Sequence, residues 1–255
     1  MGRIIAVVNQ KGGVGKTTTA VNLAASLAAT EKKTLLIDFD PQGNASTGFG
    51  IEKQEGLATI YDFIAGNSTL EECIRTISSP WLSLIPSSAD LAGAEVELAG
   101  EKKREFFLKR ALEKIQGDFD LIILDCPPSL GLLTLNCLVA ANAVLVPLQC
   151  EFLAMEGLSQ LLNTVDLVQK RLNPGLEIDG IVLTMYSAGQ GHNNQVVSEV
   201  RRHMGDAVFK TVIPRNSGIS ESPSFGKPVV WYDPWSPGSW AYLNLAHELL
   251  ERRGE

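Results

Sequence analysis

Asn9-Gln10-Lys11-Gly12-Gly13-Val14-Gly15-Lys16-Thr17-Thr18-Thr19 stands between an apolar run at positions 4–8 and a helical stripe of Ala20, Leu23, Ala24, Leu27 and Ala28. The run reads as a buried strand, and the stripe occupies one face of a helix. A glycine-rich turn between them aims backbone N–H groups at an anion, and the helix dipole adds to the attraction. In that frame residues Gly12, Gly13, Val14, Gly15 and Thr18 line the anion, Lys16 reaches the β- and γ-phosphates of a nucleoside triphosphate, and the Thr17 hydroxyl holds Mg²⁺. The strict spacing G-x-x-x-x-G-K-[ST] is broken, because its first glycine falls on Gln10. What stands instead is K-G-G-V-G-K-T, with a second lysine, Lys11, at the mouth of the loop.

Outward from the loop, short apolar runs recur at 34–39, 121–124, 143–148, 178–183 and 208–213. Most lack polar alternation, as strands covered on both faces do. Amphipathic patterns lie between and after them: 104–115, a stripe of Leu158, Leu161, Leu162, Val165 and Val168, and another of Leu243, Ala246, Leu249 and Leu250. The alternation predicts one α/β domain over residues 1–255: a doubly wound, mostly parallel sheet with helices on both faces and right-handed crossovers.

Two of these strands end in acids. Leu35-Leu36-Ile37-Asp38-Phe39-Asp40-Pro41 places Asp38 and Asp40 at i and i+2, hence on one face of a strand that Pro41 ends. That is the carboxyl end, where ligands bind in open α/β sheets. Leu121-Ile122-Ile123-Leu124-Asp125 ends in a single acid, the pattern of a Mg²⁺-holding strand. Thr17 and Asp125 are therefore expected to hold Mg²⁺, and the Asp38 and Asp40 pair to organise Mg²⁺ and water.

The deviant loop, the run D-F-D-P-Q-G-N from Asp38 and the run D-C-P-P from Asp125 resemble the ParA/MinD superfamily of deviant Walker-A ATPases, most closely its short chromosomal ParA (Soj) form. The resemblance extends from Ile4 to about Leu250. It implies a P-loop NTPase fold that binds ATP with Mg²⁺, forms a face-to-face dimer on ATP, and hydrolyses slowly until a ParB-like activator protein stimulates it. It further implies that Lys11 crosses to the partner's nucleotide, that Asp40 orients the attacking water, and that Asp38 supports Mg²⁺ and the switch region. Pro214, Arg215 and Asn216 resemble the family's loop around the adenine base, with Thr184, Met185 and Tyr186 flanking the same pocket. Non-specific DNA is the matrix such proteins bind in chromosome or plasmid partition, through cations on the dimer surface.

The chain departs from the family pattern at those cations. Ala188, Gly189 and Gly218 stand where basic residues are usual, and the stretch 234–240, Pro-Trp-Ser-Pro-Gly-Ser-Trp, carries no charge. Arg201, Arg202, Lys210 and Lys227 remain as a possible DNA surface. The departure keeps other readings open: a ParA-like ATPase that positions a protein cargo through a face bearing Trp231, Trp235 and Trp240, a MinD-like spatial regulator, or a carrier enzyme, which would need paired cysteines at an interface.

Composition sets the outer limits. The 255 residues are 45% apolar and 20% charged, which excludes a disordered or collagen-like chain. The formal charge of −7 is carried entirely by residues 1–180, since 181–255 hold seven basic and seven acidic residues. An acidic total makes any nucleic-acid contact a matter of local cations. Cys73, Cys126, Cys137 and Cys150 form no C-x-x-C pair, so buried thiols in a reducing cytosol are expected. No signal peptide, myristoylation pattern or 18-residue apolar stretch is read, which predicts a cytoplasmic protein without membrane targeting, nucleoid-associated if it binds DNA.

Overall fold

Residues with polar neighbours on neither side along a strand must bury both faces of it, and β1 (Arg3–Val7) does so. Ile4 and Ala6 join one hydrophobic core while Ile5 and Val7 join the other. The computed structural model describes residues 2–51, 56–77, 79–151, 154–189 and 191–254. The remaining strands are β2 (Thr34–Asp38), β3 (Arg75–Thr76), β4 (Leu82–Ile85), β5 (Leu121–Asp125), β6 (Ala143–Gln149), β7 (Glu177–Tyr186) and β8 (Val208–Pro214). They form one eight-stranded sheet in the order β3-β4-β2-β5-β1-β6-β7-β8, parallel except for the β3–β4 pair.

Helices cover both faces. The helix Lys16–Ala29 and the last helix, Pro237–Arg252, pack in one core through Leu23, Leu27, Tyr242 and Leu245. The helices Phe107–Ile115, Leu132–Ala140, Ala154–Arg171 and Gly191–Met204 supply the other through Leu112, Val139, Leu161 and Val200. This is the doubly wound, mostly parallel architecture that the sequence predicts.

Three boundaries differ from the sequence reading. β2 ends at Asp38 rather than at Pro41, so Asp40 lies beyond the ladder in a turn instead of sharing a strand face with Asp38. The amphipathic segment 104–115 begins as a 3₁₀ turn, Arg104–Phe106, before the α-helix Phe107–Ile115. The last helix starts at Pro237, six residues before its first striped leucine, because Ser236 accepts from the Ser239 N–H and proline suits the first helical position.

The order matters for the site. β1 lies between β5 and β6, so the loop after β1 opens at the point where the sheet's winding reverses. β5 also pairs with β2, which sets Val7, Asp125 and Asp38 in one row at the carboxyl edge.

Candidate functional site: a phosphate loop and three acids

The loop after β1 is built to leave amides unpaired. Gly13 and Gly15 have φ of 74° and 87°, left-handed values that suit glycine. Gly15 caps the helix Lys16–Ala29, and no side chain accepts from its first turn. The N–H groups of that turn are therefore left without side-chain acceptors at the loop's mouth, where an anion would complete them. A Cβ on Gly12 or Gly13 would meet nothing within 4 Å, so the mouth is open.

Neighbouring strands hold the loop in place. The Asn9 side chain donates to the Pro147 carbonyl (2.7 Å) on β6 and accepts from the Lys11 N–H (3.0 Å). The Thr184 hydroxyl on β7 donates to the Val14 carbonyl (2.9 Å). Met185, next to it, sits at φ 53°, a costly conformation for a residue with a side chain. The Arg215 N–H donates to the Tyr186 carbonyl (2.8 Å), which ties the Pro214–Arg215–Asn216 turn to the same strand end. Asn216 spends its side-chain oxygen on the Ile219 N–H (3.2 Å), capping the helix Ser217–Glu221.

The two lysines are placed differently. Lys16 is buried at 6% exposure, and its ammonium donates to the Lys11 carbonyl (2.9 Å) across the loop. Burial lowers its pKa, against the pull of Asp125, Cys126 and Asp40. Lys11 is exposed, and its ammonium pairs with Glu151 at 2.9 Å. Glu151 also accepts from the Gln149 side chain (2.6 Å).

The acids divide as well. Asp38 is fully buried, and one carboxylate oxygen accepts from both the Ser46 N–H (2.8 Å) and the Ser46 hydroxyl (2.7 Å). Its other oxygen accepts from the Asp40 N–H (3.3 Å). Burial pushes its pKa up to about 6 despite these donors. Asp125 is equally buried, and neither carboxylate oxygen has a hydrogen-bond partner among the described residues. Burial and the Asp38 charge hold its pKa well above the usual range, with Thr17 and Lys16 opposing. Asp40 is 6% exposed and accepts from the Gln42 N–H (2.9 Å).

This arrangement fits a divalent cation. An unpartnered buried carboxylate beside a threonine hydroxyl and a phosphate loop is a partial coordination shell, completed by phosphate oxygens and water. Among the described residues no group of three or more His, Cys, Asp or Glu side chains encloses a metal alone. The sequence groups Asp38 with Thr17 and Asp125, but here the Asp38 oxygens are taken by Ser46 and the Asp40 amide, which binds it to the Asp40 turn. Ser46 was invisible to sequence reasoning. Nothing in N-A-S-T marks one hydroxyl as the seat of a carboxylate eight residues back.

The expected DNA-surface cations differ in what already holds them. Arg201 donates to the Phe209 (3.4 Å) and Lys210 (3.1 Å) carbonyls, and Arg202 lies 4.0 Å from Glu199. Lys210, on β8, and Lys227, beyond the turn Ser222–Phe225, are exposed. Gly218 is buried, and a Cβ there would lie 3.0 Å from the Asn216 side chain, so this backbone has little room for a cation. Trp231 is half-buried against Phe49, whereas Trp235 and Trp240 are 82% and 50% exposed and lie 6.5 Å apart. All four cysteines are free and buried. No described helix is long and apolar enough to cross a membrane.

A phosphate loop at the switch point of a parallel sheet, backed by two acid-tipped strands, defines a P-loop nucleotide-binding protein. Comparison with known proteins narrows this. The AAA_31 family model, described as an AAA domain, matches residues 2–178. The chain is 52% identical over 252 residues to the chromosome partitioning protein ParA of Myxococcus xanthus, covering 99% of this chain and 89% of that one. It is 53% identical over 249 residues to the sporulation initiation inhibitor protein Soj of Bacillus subtilis, covering 98% of each. A crystal structure of cobyrinic acid a,c-diamide synthase from Mycobacterium smegmatis, with bound ADP and magnesium, superposes with a TM-score of 0.88 at 38% identity, covering 100% of this chain and 96% of that one. The chain belongs to the ParA/MinD family of P-loop ATPases, alongside the ParA/Soj chromosome partitioning proteins.

Proposed function

We propose that this protein is a ParA-type partition ATPase, its 255 residues forming one ATPase domain. ATP with Mg²⁺ brings two copies together across their phosphate loops, and a ParB-like activator stimulates an otherwise slow hydrolysis. The observation that carries this reading is the contrast between the lysines. Lys16 is buried within its own loop, whereas Lys11 stands exposed at the mouth, held among the described residues by a surface ion pair to Glu151. A lysine so placed is free to reach a nucleotide held by a second copy. The full-length likeness to ParA and Soj at 52–53% identity favours partition over the activity named for the 38% identical synthase.

In this reading the unpaired amides of residues 12–18 and the Lys16 ammonium hold the phosphates. Thr17 and Asp125 hold Mg²⁺, with Asp38 adding charge beside them. When bound, the metal neutralises charge on the phosphate oxygens. Asp40, its amide fixed by Asp38, orients water for attack on the γ-phosphate. Lys11 from the partner neutralises charge as the phosphoryl group transfers. Pro214, Arg215 and Asn216 border the base.

Lys210 and Lys227, with Arg201 and Arg202, form the surface for non-specific DNA, which would make the protein nucleoid-associated in the cytoplasm. The exposed Trp235 and Trp240 favour a second reading, in which the same ATPase positions a protein cargo. Light scattering with ATP, phosphate release, and a DNA mobility shift over a salt series test these points. A chain that stays monomeric with ATP contradicts the dimer, and no shift at low salt contradicts the DNA reading.

A further inference from the structure

The segment 102–114 runs against the charge of the chain. It holds six basic residues, Lys102, Lys103, Arg104, Lys109, Arg110 and Lys114, and two acidic ones, a net charge of +4. The whole chain carries −7, so the rest of it carries −11. None of the six is a phosphate-loop residue or one of the four cations of the proposed DNA surface. All are exposed except Lys109, which is half-buried. Arg110 and Lys114 stand four apart, on one face of the helix Phe107–Ile115. The Arg110 guanidinium donates to the Lys103 carbonyl (3.5 Å), which brings that face against the turn bearing Lys102 and Lys103.

Two observations set these cations apart from an ordinary solvated face. Glu105 and Glu113 each lie four residues from Lys109, the spacing of a helical ion pair, yet among the described residues none of the six cations forms one. Lys103 sits at φ 58°, a left-handed conformation that glycine takes freely and a residue with a Cβ takes at a cost. A strained residue whose ammonium the fold leaves unpaired points to a role outside the fold. The side of the helix beneath is fixed. Leu108, Leu112 and Ile115 are in the core, and the Leu108 N–H donates to the Asn136 side chain (3.1 Å). The cations therefore stand on a rigid support, which lowers the entropy cost of binding.

We propose that this face docks a short acidic segment of a partner protein, its carboxylates on Lys103, Arg110 and Lys114. Charge complementarity calls for an anion, and the surroundings select its size. Exposed acids flank the patch along the chain, Glu95, Glu97 and Glu101 before it and Asp118 and Asp120 after it. A DNA duplex carries a charge about every 1.7 Å of its length and would lie along those acids as well. A segment of a few acidic residues needs only the patch, and charges more than about 8 Å beyond it are screened at physiological salt. A lipid surface is a poorer fit, because the apolar side of the helix is already spent on the core and nothing remains to insert. This surface is separate from the nucleotide site, and the proposal stands whether or not the ATPase reading does.

The test uses fluorescein-labelled peptides, one alternating Asp and Ser and one alternating Lys and Ser, titrated into the full chain at low salt and followed by anisotropy. The Asp/Ser peptide binds and the Lys/Ser peptide does not compete for the same face. The Kd of the Asp/Ser peptide rises about fivefold or more in Arg110→Ala/Lys114→Ala. Lys170→Ala/Arg171→Ala, an equal charge loss at the exposed end of another helix, shifts it less than about twofold. Lys103→Gly weakens binding about threefold while the urea midpoint stays at or above that of the wild type, because glycine suits the turn. A carbodiimide, which condenses carboxylates with amines, joins the bound peptide to Lys103 and Lys114. The proposal fails if the Asp/Ser peptide does not bind, if the Lys170/Arg171 variant loses as much as the Arg110/Lys114 variant, if Lys103→Gly binds as wild type, or if the cross-links fall outside 102–114. Random duplex DNA that binds through Arg110 and Lys114 more tightly than the peptide does also overturns it, and assigns the face to DNA.

Discussion

Asp38 and Asp125 are register partners on adjacent strands, both fully buried, yet Asp38 accepts two hydrogen bonds from Ser46 while neither Asp125 oxygen is within hydrogen-bonding geometry of a donor among the described residues. A buried carboxylate without donors is costly unless something else satisfies it. Asp125→Asn removes that cost, and the apoprotein should gain about 1–3 kcal/mol in urea unfolding at neutral pH. The same variant should lose the stabilisation that Mg²⁺ with ADP gives the wild type. An apoprotein made less stable by Asp125→Asn would show that its carboxylate is already satisfied by the fold.

Ser46 is the opposite case, a hydroxyl that both donates and accepts. Its hydroxyl donates to Asp38 at 2.7 Å and accepts from the Ser87 N–H at 3.1 Å. Ser46→Ala leaves a buried carboxylate and a buried amide each short of a partner, which costs about 1–3 kcal/mol. Because Asp38 also fixes the Asp40 amide, hydrolysis should fall more than ATP affinity does. Equal losses in the two would place Ser46 in binding rather than in orienting the turn.

The lysines give a sharper pair. Lys11→Ala breaks an exposed ion pair and should change stability by no more than about 1 kcal/mol. ATP binding by the monomer should survive while hydrolysis is lost. Lys16→Ala should abolish nucleotide binding, since its ammonium lies inside the loop. Asp40→Ala should bind ATP, remain dimeric and hydrolyse about a hundredfold more slowly or worse. Isothermal titration, light scattering and phosphate release separate the three variants. Wild-type hydrolysis by Lys11→Ala would remove the transfer of that lysine to a partner.

Much of this was legible in the residues. The runs at 4–8, 34–39 and 121–124 carry no polar alternation because both faces of the sheet are covered, and that alone predicts a parallel sheet. β3 and β4 were missed: two and four residues are too short to show a period, and their place is set by pairing with each other and with β2. The helix Leu132–Ala140 is too apolar to show a single stripe, whereas Gly191–Met204 carries only a short one, Val196, Val197, Val200 and Met204, in a mostly polar segment that the sequence reading passed over. At the site, spacing identified the loop and the acids but not their partners. Ser46 meets Asp38, and Glu151 meets Lys11, through contacts that depend on how the loops fold over the sheet edge.

The same limit governs the DNA surface, where sequence counts cations and structure shows what they already hold. Arg201 is spent on two carbonyls, and Arg252 stacks on Phe209 (4.1 Å), pairs with Glu248 (3.0 Å) and donates to the Asp206 and Val208 carbonyls. Of the four cations expected to contact DNA, Lys210 and Lys227 are the exposed lysines. With two to four contacts, log K should fall with log salt at a slope of about −2 to −4. Affinity for a random duplex would then drop about 15-fold to 250-fold between 50 and 200 mM salt. Lys210→Ala and Lys227→Ala should each make the slope shallower by about 1, while Trp235→Ala leaves it unchanged. A slope that ignores both lysines places the DNA contact elsewhere on the dimer. No binding at 50 mM salt, together with a protein partner lost in Trp235→Ala, assigns the exposed tryptophans to cargo.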